Sequence, residues 1–456
     1  MSFAKKFENI FRSILPSPFS IAILLTILTF VLALIFTENQ NNENYHVLNL
    51  FSSWENGVWN NGLLVFAFQM MLMLVLGHTL ALTNSVNFLI SKFTRFCTST
   101  ANAAAIISFF TIIVSLFNWG LGLIFGAIFA RKVAEDASNK NINLNYPLIG
   151  AAGYSGLMVW HGGLSGSAPI KVAEANHLTE MFKGADFDVP SAITLSQTTF
   201  SQMNIFVSVL LLIIIPTFLF FLGKKNTGST INVITQEKRE EKREYIGAEK
   251  LDHSLVFSRI IAILILGFCL YKAILLPKEV SLKVITPNFI NLILLGLGIF
   301  FHSSFNKFTN AITEAIKGAS GILIQFPLYF GIMAIMKDSG MVSLLSDFFV
   351  NISNESTFPI FTFISAGIVN IFVPSGGGQW AIQGPIIIEA ANQLGVSFSK
   401  SIMALAYGDQ LTNMLQPFWA LPLLGITRLK AREILPYTLY LFLIGCLIFV
   451  GGLLLF

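Results

Sequence analysis

The stretches NWGLG at residues 118–122 and PSGGGQ at residues 374–379 interrupt two long apolar segments at matching places in the two halves of the chain. Each is followed, roughly 35 residues later, by a second interrupted apolar segment, at residues 153–169 and 406–417. A bilayer tolerates unpaired backbone at mid-depth only where that backbone lines a cavity or contacts other protein. Interruptions that are paired between two halves therefore predict a transporter binding site.

The composition is that of a polytopic membrane protein. Of the 456 residues, 54% are hydrophobic and 11% are charged, and the mean hydropathy is +0.71. Soluble domains carry about 25% charged residues. The three cysteines are scattered and show no CxxC spacing, so they predict neither a disulfide framework nor a metal site.

Membrane spans need about 20 predominantly apolar residues, and the chain offers many such stretches. The candidates with few or no internal charges are residues 19–36, 62–82, 146–170, 198–222, 256–276, 285–301, 318–336, 401–426 and 435–456. Two further stretches, 101–130 and 358–388, contain the interruptions quoted first. The fold class predicted is therefore all-α, with each half of the chain holding one interrupted hairpin and one broken transmembrane helix.

Basic residues orient the first half of the chain, because cytoplasmic loops carry an excess of Lys and Arg. Lys5, Lys6 and Arg12 predict a cytoplasmic N-terminus. Arg131 and Lys132, at the end of stretch 101–130, are again a cytoplasmic signature on the side where that stretch began. This stretch is therefore predicted to be a re-entrant hairpin that returns to the cytoplasm.

The second hairpin has acidic flanks instead, with Asp338, Asp347 and Glu355 before it and Glu389 after it. It is predicted to enter from outside. Features recur at an offset of about 255 residues, so the two halves are predicted to be inverted repeats. The predicted division is a first repeat 1–222 with hairpin 101–130, a charged cytoplasmic linker 223–255, a connecting span 256–284, and a second repeat 285–456 with hairpin 358–388.

The hairpin tips predict an anion site. A half-helix that starts at a tip presents free N–H groups and a partial positive charge, and glycine lets that backbone approach a ligand. Hydroxyl and amide side chains beside the glycines supply further donors. The residues predicted to bind substrate are Asn118, Trp119, Gly120, Ser165, Ser167, Ser375, Gly376, Gly377, Gly378 and Gln379.

Asp409 is predicted to couple transport to a cation. It is the only acid in the span 401–426, and charges at that depth are expensive and usually functional. Asn413 and Gln416 share its face if the helix is continuous. The alternative is a structural acid paired with a snorkelling lysine. The lone His161 is interpreted as a structural group, with a functional role as the alternative, and His78 likewise.

Together these motifs resemble the short-chain fatty acid transporter family over essentially the whole chain. The most specific stretches are 118–122, 373–380, 383–385, 406–408 and 416–422. The resemblance implies uptake of acetoacetate, butyrate and similar monocarboxylates across a bacterial inner membrane, by a multi-pass protein with a cytoplasmic N-terminus. The chain also resembles a wider superfamily of ion transporters, whose members pair a scaffold with a moving domain and are commonly dimers.

The function predicted is secondary active uptake of short-chain fatty acids, coupled to Na⁺ or H⁺. The partners predicted are a small carboxylate, membrane lipid and a second copy of the chain, with no nucleic acid and no cofactor; whether a metal binds is left open. The alternatives are a transporter of another small carboxylate, a channel, and an intramembrane serine protease. The last is suggested by Gly-x-Ser-Gly at residues 163–166, but it would need a histidine base near Ser165.

Overall fold

A computed structural model describes residues 16–39, 45–182, 187–226, 228–230, 245–276 and 286–456. The basic N-terminal residues used for orientation, part of the connecting span and the middle of the charged linker lie outside these ranges. The start of the linker is ordered by a short antiparallel pairing, in which Ser229–Thr230 pairs with Asn143–Leu144. The architecture is otherwise helical, as predicted.

The helices of the first half are α1 Pro18–Phe36, α2 His46–Val58, α3 Asn61–Ala81, α4 Asn84–Thr94, α5 Thr100–Phe117, α6 Trp119–Asn139, α7 Tyr146–Tyr154, α8 Ser167–Val172, α9 His177–Met181 and α10 Gln202–Lys225. A 3₁₀ turn, Ser155–Met158, follows α7 directly. The predicted broken segment 146–170 is therefore two short helices, α7 and α8, joined by irregular backbone.

The helices that follow are α11 Glu249–Asp252, α12 Leu255–Leu270 with a π-helical continuation Tyr271–Leu275, α13 Pro287–His302, α14 Phe305–Ala315, α15 Ser320–Asp338, α16 Met341–Asn351, α17 Phe358–Phe372, α18 Gly376–Leu394, α19 Phe398–Thr412, α20 Leu421–Thr427 and α21 Ala431–Leu455. A 3₁₀ turn Asn413–Leu415 ends α19. The second broken segment, α19 and α20, thus matches the first.

The chain reverses tightly at both predicted tips, because a capping side chain starts a new helix there. Asn118 ends α5, and its side-chain oxygen accepts from the N–H of Leu121 to start α6 (3.0 Å). Ser375 does the same for α18, accepting from the N–H of Gly378 (3.2 Å). These caps satisfy donors that a helix start leaves free.

Each tip contacts a long helix of its own half through a methionine. A Cβ on Gly120 would lie 2.9 Å from the sulfur of Met73 on α3, and one on Gly378 would lie 3.3 Å from the terminal methyl of Met333 on α15. The order of elements is also the same in both halves: long helix, short helix, hairpin, broken segment, long helix. The opposite membrane orientation of the halves and the re-entrant depth of the hairpins stay predictions.

Within the described ranges, seven helical segments are long and apolar enough to cross a membrane: Pro18–Phe36, Asn61–Ala81, Thr100–Phe117, Gln202–Lys225, Leu255–Leu275, Phe305–Asp338 and Ala431–Leu455. Large apolar side chains are exposed along several of them, notably α1 and α12. Exposed apolar helix faces of this length suit a lipid environment.

Candidate functional site

The two broken segments cross at the centre of the fold and bond to one another. The backbone N–H of His161 donates to the side-chain oxygen of Gln410 (2.9 Å), and the hydroxyl of Tyr154 donates to the carbonyl of Asn413 (3.0 Å). All four residues are buried. Each half therefore satisfies polar groups that the other half's interruption leaves free.

A buried pair of ionisable side chains, His161 and Asp409, lies at this crossing. Nδ1 of His161 contacts Oδ2 of Asp409, and the two side chains are 0% and 1% exposed. The other ring nitrogen, Nε2, accepts a hydrogen bond from the backbone N–H of Ala168 (3.0 Å). Because Nε2 is an acceptor, the ring proton resides on Nδ1 and is donated to the carboxylate. The imidazole is thus neutral, and the pair carries the negative charge of Asp409.

Among the described residues, no Lys or Arg side chain pairs with this carboxylate, whose partner is His161 rather than the lysine of the predicted alternative. Oδ1 of Asp409 is buried and has no hydrogen-bond partner among the described residues. A buried carboxylate is costly unless it is paired with a cation or fully hydrogen-bonded. The pair is therefore a place where a cation would be stabilised.

Amide side chains surround this carboxylate. The side-chain nitrogen of Asn370, on α17, donates to the Asp409 carbonyl (2.7 Å) and to the side-chain oxygens of Thr412 and Asn413 (both 2.9 Å). Gln416 donates to the carbonyl of Asn370 (3.0 Å). The free oxygens of this cluster are Asp409 Oδ1, Asn370 Oδ1 and Gln416 Oε1, each buried and unpartnered within the described part of the chain.

The three residues predicted to couple the cation, Asp409, Asn413 and Gln416, lie in this cluster, but not because they share one helix face. The helix does not continue through Asn413 and Gln416, because α19 ends at Thr412 and Gln416 is extended (ψ 150°). Gln416 still reaches Asn413 across the turn, with its side-chain nitrogen 3.3 Å from Asn413 Oδ1. The cation-coupling role of the three residues is a separate matter and stays a prediction.

The second tip packs directly on the His161–Asp409 pair through Gly376. A Cβ at this glycine would lie 2.8 Å from the Trp160 ring, 2.9 Å from His161 Cε1 and 3.1 Å from Asp409 Oδ2. Those distances leave no room for a side chain. The start of α18 is therefore held against the pair, and only glycine permits this approach.

Gly377, the next residue, faces the opposite way and is exposed. Its N–H and that of Gly376 have no hydrogen-bond partner in the described ranges, as expected for the first residues of a helix. A Cβ on Gly377 would meet only Ser167, whose Oγ is 3.9 Å away. An accessible helix start beside a free hydroxyl is an arrangement that binds anions.

The remaining predicted substrate residues have structural partners. Ser165 accepts from the backbone N–H of Trp119 (2.9 Å) and so ties the first broken segment to the first tip. Gln379 is turned into its own hairpin, where its nitrogen donates to Ala366 and Gln383 (both 2.8 Å). Gly120 and Gly378 are each packed against a methionine, as described above.

An aromatic group joins the two tips. Trp119 lies edge-on to Trp419, with ring centroids 4.8 Å apart. The ring centroids of Trp119 and Trp160 are 5.8 Å apart. Trp160 in turn stacks on His161, with a centroid distance of 4.6 Å. The group continues from Trp419 to Phe418 and Phe326. The site thus combines a buried carboxylate, an accessible helix start and an apolar wall.

The geometry does not support a serine nucleophile at Ser165. Its oxygen is bonded to the Trp119 backbone, and both nitrogens of His161 are engaged with other groups. The ring of His302, a histidine later in the chain, contacts the carbonyl of Thr79 (2.8 Å). No group of three or more His, Cys, Asp or Glu side chains that could hold a metal ion occurs within the described residues.

Sequence reasoning did not place His161 and Asn370 in the site. A lone amide within the apolar arm of a hairpin was a signal that could have identified Asn370. A functional role for the lone His161 was the alternative in the sequence analysis, but its partner, 248 residues away, could not be identified there.

Comparisons with known proteins identify the family of this chain. The sequence model of the family described as "Short chain fatty acid transporter" matches residues 3–456. A protein of Escherichia coli (strain K12), named "Putative short-chain fatty acid transporter", is 36% identical over 445 residues, covering 97% of this chain and 96% of that protein. A protein of the same name from Haemophilus influenzae (strain ATCC 51907 / DSM 11121 / KW20 / Rd) is 36% identical over 450 residues, covering 96% of each.

Among solved structures, the YdaH transporter of Alcanivorax borkumensis, which has an unusual topology, aligns with 96% of this chain and 97% of its own, at 15% identity and a TM-score of 0.44. That similarity is too remote to carry an argument. The family match and the two relatives cover nearly the whole length of the chain, and its apolar helices make it a multi-pass membrane protein. The chain therefore belongs to the short-chain fatty acid transporter family.

Proposed function

We propose that this transporter takes up short-chain fatty acids such as acetoacetate and butyrate by secondary active transport coupled to a cation, Na⁺ or H⁺. The observation that carries the proposal is the buried Asp409 carboxylate, which has a neutral histidine as its partner and a free oxygen, Oδ1. A charge in that position is stabilised by a cation, and an anion binds at the helix start that packs beside it.

The substrate carboxylate binds at Gly377. The N–H groups of Gly376 and Gly377 begin α18, a helix of 19 residues, whose dipole adds a partial positive charge. Ser167 offers a hydroxyl on the same side. No Lys or Arg side chain is needed, since helix-start amides and a hydroxyl make charge-assisted hydrogen bonds with a carboxylate.

The acyl chain lies against the tryptophans. Trp119, Trp160 and Trp419 form a wall next to Gly376, and burial against such a wall is worth about 0.8 kcal/mol per methylene group. An acyl chain of three or four carbons gains enough to favour propionate or butyrate over formate. A second carboxylate at the far end would be buried against apolar rings, which disfavours dicarboxylates.

The co-transported cation cancels the negative charge of the imported carboxylate. Moving one anion inward costs about 2.3 kcal/mol per 100 mV of inside-negative potential, and one cation moving with it cancels that cost. Asp409 Oδ1 and the free amide oxygens of Asn370 and Gln416 are ligands of the kind that Na⁺ prefers. Protonation of Asp409 would neutralise the same charge.

The test is uptake of labelled butyrate into proteoliposomes under an imposed Na⁺ gradient or an imposed pH gradient. Wild-type protein accumulates butyrate with one of the two gradients, which identifies the cation. Asp409→Asn keeps the side-chain shape but loses the charge, so accumulation driven by the gradient stops. Butyrate-for-butyrate exchange, which needs no net ion movement, persists in this variant.

The matched control is Asp347→Asn, because Asp347 is an exposed acid outside the site. Uptake is normalised to folded protein in all three samples. Undiminished accumulation by Asp409→Asn rejects the coupling role. Absence of butyrate counterflow in wild-type protein rejects the substrate class.

A further inference from the structure

A large cavity lies away from the tips, at the ends of five helices. Its volume is about 670 Å³, and its wall includes the last turns of α3 and α20 and the first residues of α1, α15 and α21. Because Lys and Arg side chains are costly inside a bilayer and four of them line this cavity, it lies at the level of one membrane surface. It lies between α15 with its preceding turn and α20 with the start of α21.

The charge of the wall is strongly positive. Lys317, Arg428, Lys430 and Arg432 line it, and Glu314 is the acid among its lining residues. Glu314 is paired with Arg428 (3.5 Å), which leaves three cations around the cavity. The starts of α1 and α21, helices of 19 and 25 residues, add partial positive charge.

A histidine and apolar side chains complete the wall. His78, at the end of α3, lines the cavity and is 8% exposed. Its Nδ1 has no hydrogen-bond partner among the described residues and almost no accessible surface, so this atom does not face the cavity. Ser17 and Ser320 also line the cavity, and Leu421 and Leu424 from α20 form an apolar side.

We propose that this cavity binds an amphiphilic oxyanion, whose head group contacts Lys317 and Arg432 while its chain lies against Leu421 and Leu424. Two sources share this chemistry: the phosphate head group of an anionic membrane lipid, and the carboxylate of a fatty acid on its way through the protein. Only the second source rests on the proposed function.

The test compares two double variants of equal charge. Lys317→Gln/Arg432→Gln removes two exposed cations from the cavity and leaves the Glu314–Arg428 pair intact, so the protein should fold normally. The control is Lys337→Gln/Lys400→Gln. Lys337 lies at the opposite end of α15 from the cavity, roughly 30 Å away at 1.5 Å per residue.

In the lipid arm, the proteins are reconstituted in phosphatidylcholine vesicles that contain a trace of spin-labelled phosphatidylglycerol or spin-labelled phosphatidylcholine. The electron spin resonance spectrum gives the preference of the protein surface for the anionic lipid. The cavity variant loses this preference by roughly fivefold for each cation removed, and the control variant retains it.

In the substrate arm, butyrate uptake is measured in vesicles made of phosphatidylcholine alone. If the carried acid occupies the cavity, the half-saturating butyrate concentration of the cavity variant rises by a similar factor while the control is unchanged. A loss of lipid preference or of butyrate affinity in the cavity variant alone supports the site. Loss in the lipid arm identifies an anionic lipid as the ligand, and loss in the substrate arm identifies the carried acid. If both arms are unchanged, or if the control loses as much as the cavity variant, the proposal is overturned.

A failure of the proposed transport function can be distinguished from a failure of the proposed cavity site. Wild-type protein that does not take up butyrate at all contradicts the proposed function, and the lipid arm still decides whether the cavity binds an anionic amphiphile.

Discussion

The contact between the second tip and the His161–Asp409 pair can be tested with two neighbouring glycines. Gly376→Ala places a methyl group 2.8 Å from Trp160, 2.9 Å from His161 and 3.1 Å from Asp409, whereas Gly377→Ala meets its nearest atom at 3.9 Å. Neither glycine has a positive φ, so alanine causes no backbone strain at either position. The difference between the two variants is therefore crowding alone.

Overpacking of this kind costs about 1–3 kcal/mol, which corresponds to a fivefold to 150-fold loss of affinity or folded population. We expect Gly376→Ala to lower the affinity for both butyrate and the cation, because the tip must move away from the pair. Gly377→Ala keeps the N–H group that binds the carboxylate and should stay within a factor of about two.

The assay is butyrate uptake per folded protein over a range of butyrate and Na⁺ or H⁺ concentrations, with melting temperature in detergent as a second measurement. Size-exclusion profiles confirm that both variants are folded. Wild-type affinity and melting temperature in Gly376→Ala, or a larger defect in Gly377→Ala, would refute the contact as the basis of the site.

Four further outcomes are expected. His161→Leu leaves the Asp409 carboxylate without its donor and lowers gradient-driven uptake by the equivalent of about 3 kcal/mol or more. His161→Gln keeps a donor and therefore retains part of the gradient-driven uptake. Equal uptake in the two variants would contradict a role for the His161–Asp409 pair. Ser165→Ala strands a backbone N–H of the first tip and lowers stability by about 1–3 kcal/mol, to be measured by denaturation in detergent; an unchanged midpoint would argue against that bond. Trp419→Ala removes part of the aromatic wall and shifts the preference towards longer acids by roughly tenfold, checked by competition of C2–C8 acids against labelled butyrate. Cysteines are introduced at the exposed positions Asn141 and Ser356. The cysteine at 141 is expected to react with impermeant thiol reagents only from inside, and the cysteine at 356 only from outside. Labelling of position 141 from outside would reject the inverted arrangement.

The sequence predicted the tips because the signals there are local. Asn118 and Ser375 stand where a side chain can cap the helix that follows, and the glycines after them permit a close approach. The broken segments were equally visible as polar and glycine-rich gaps in apolar stretches. Local chemistry of this kind is decided within a few residues and needs no knowledge of the fold.

The pairing inside the site was not predictable in the same way. Whether Asp409 pairs with a lysine, a histidine or an ion depends on which segments cross, and the crossing joins parts of the chain far apart in sequence. Gln379 shows the same limit at short range: its polarity was a correct sign of a tip, but packing turned it into the hairpin. Orientation of a side chain follows from its neighbours in space.

The crossing of the two broken segments has a consequence for how the protein is made. The hydroxyl of Tyr154 and the backbone of His161 find their partners, Asn413 and Gln410, only in the second half of the chain. During synthesis the first half enters the membrane before those partners exist, so its polar groups must be held by water, lipid head groups or an insertion factor until the second half arrives. An isolated first half should therefore be degraded, and two separately expressed halves should protect one another from proteolysis.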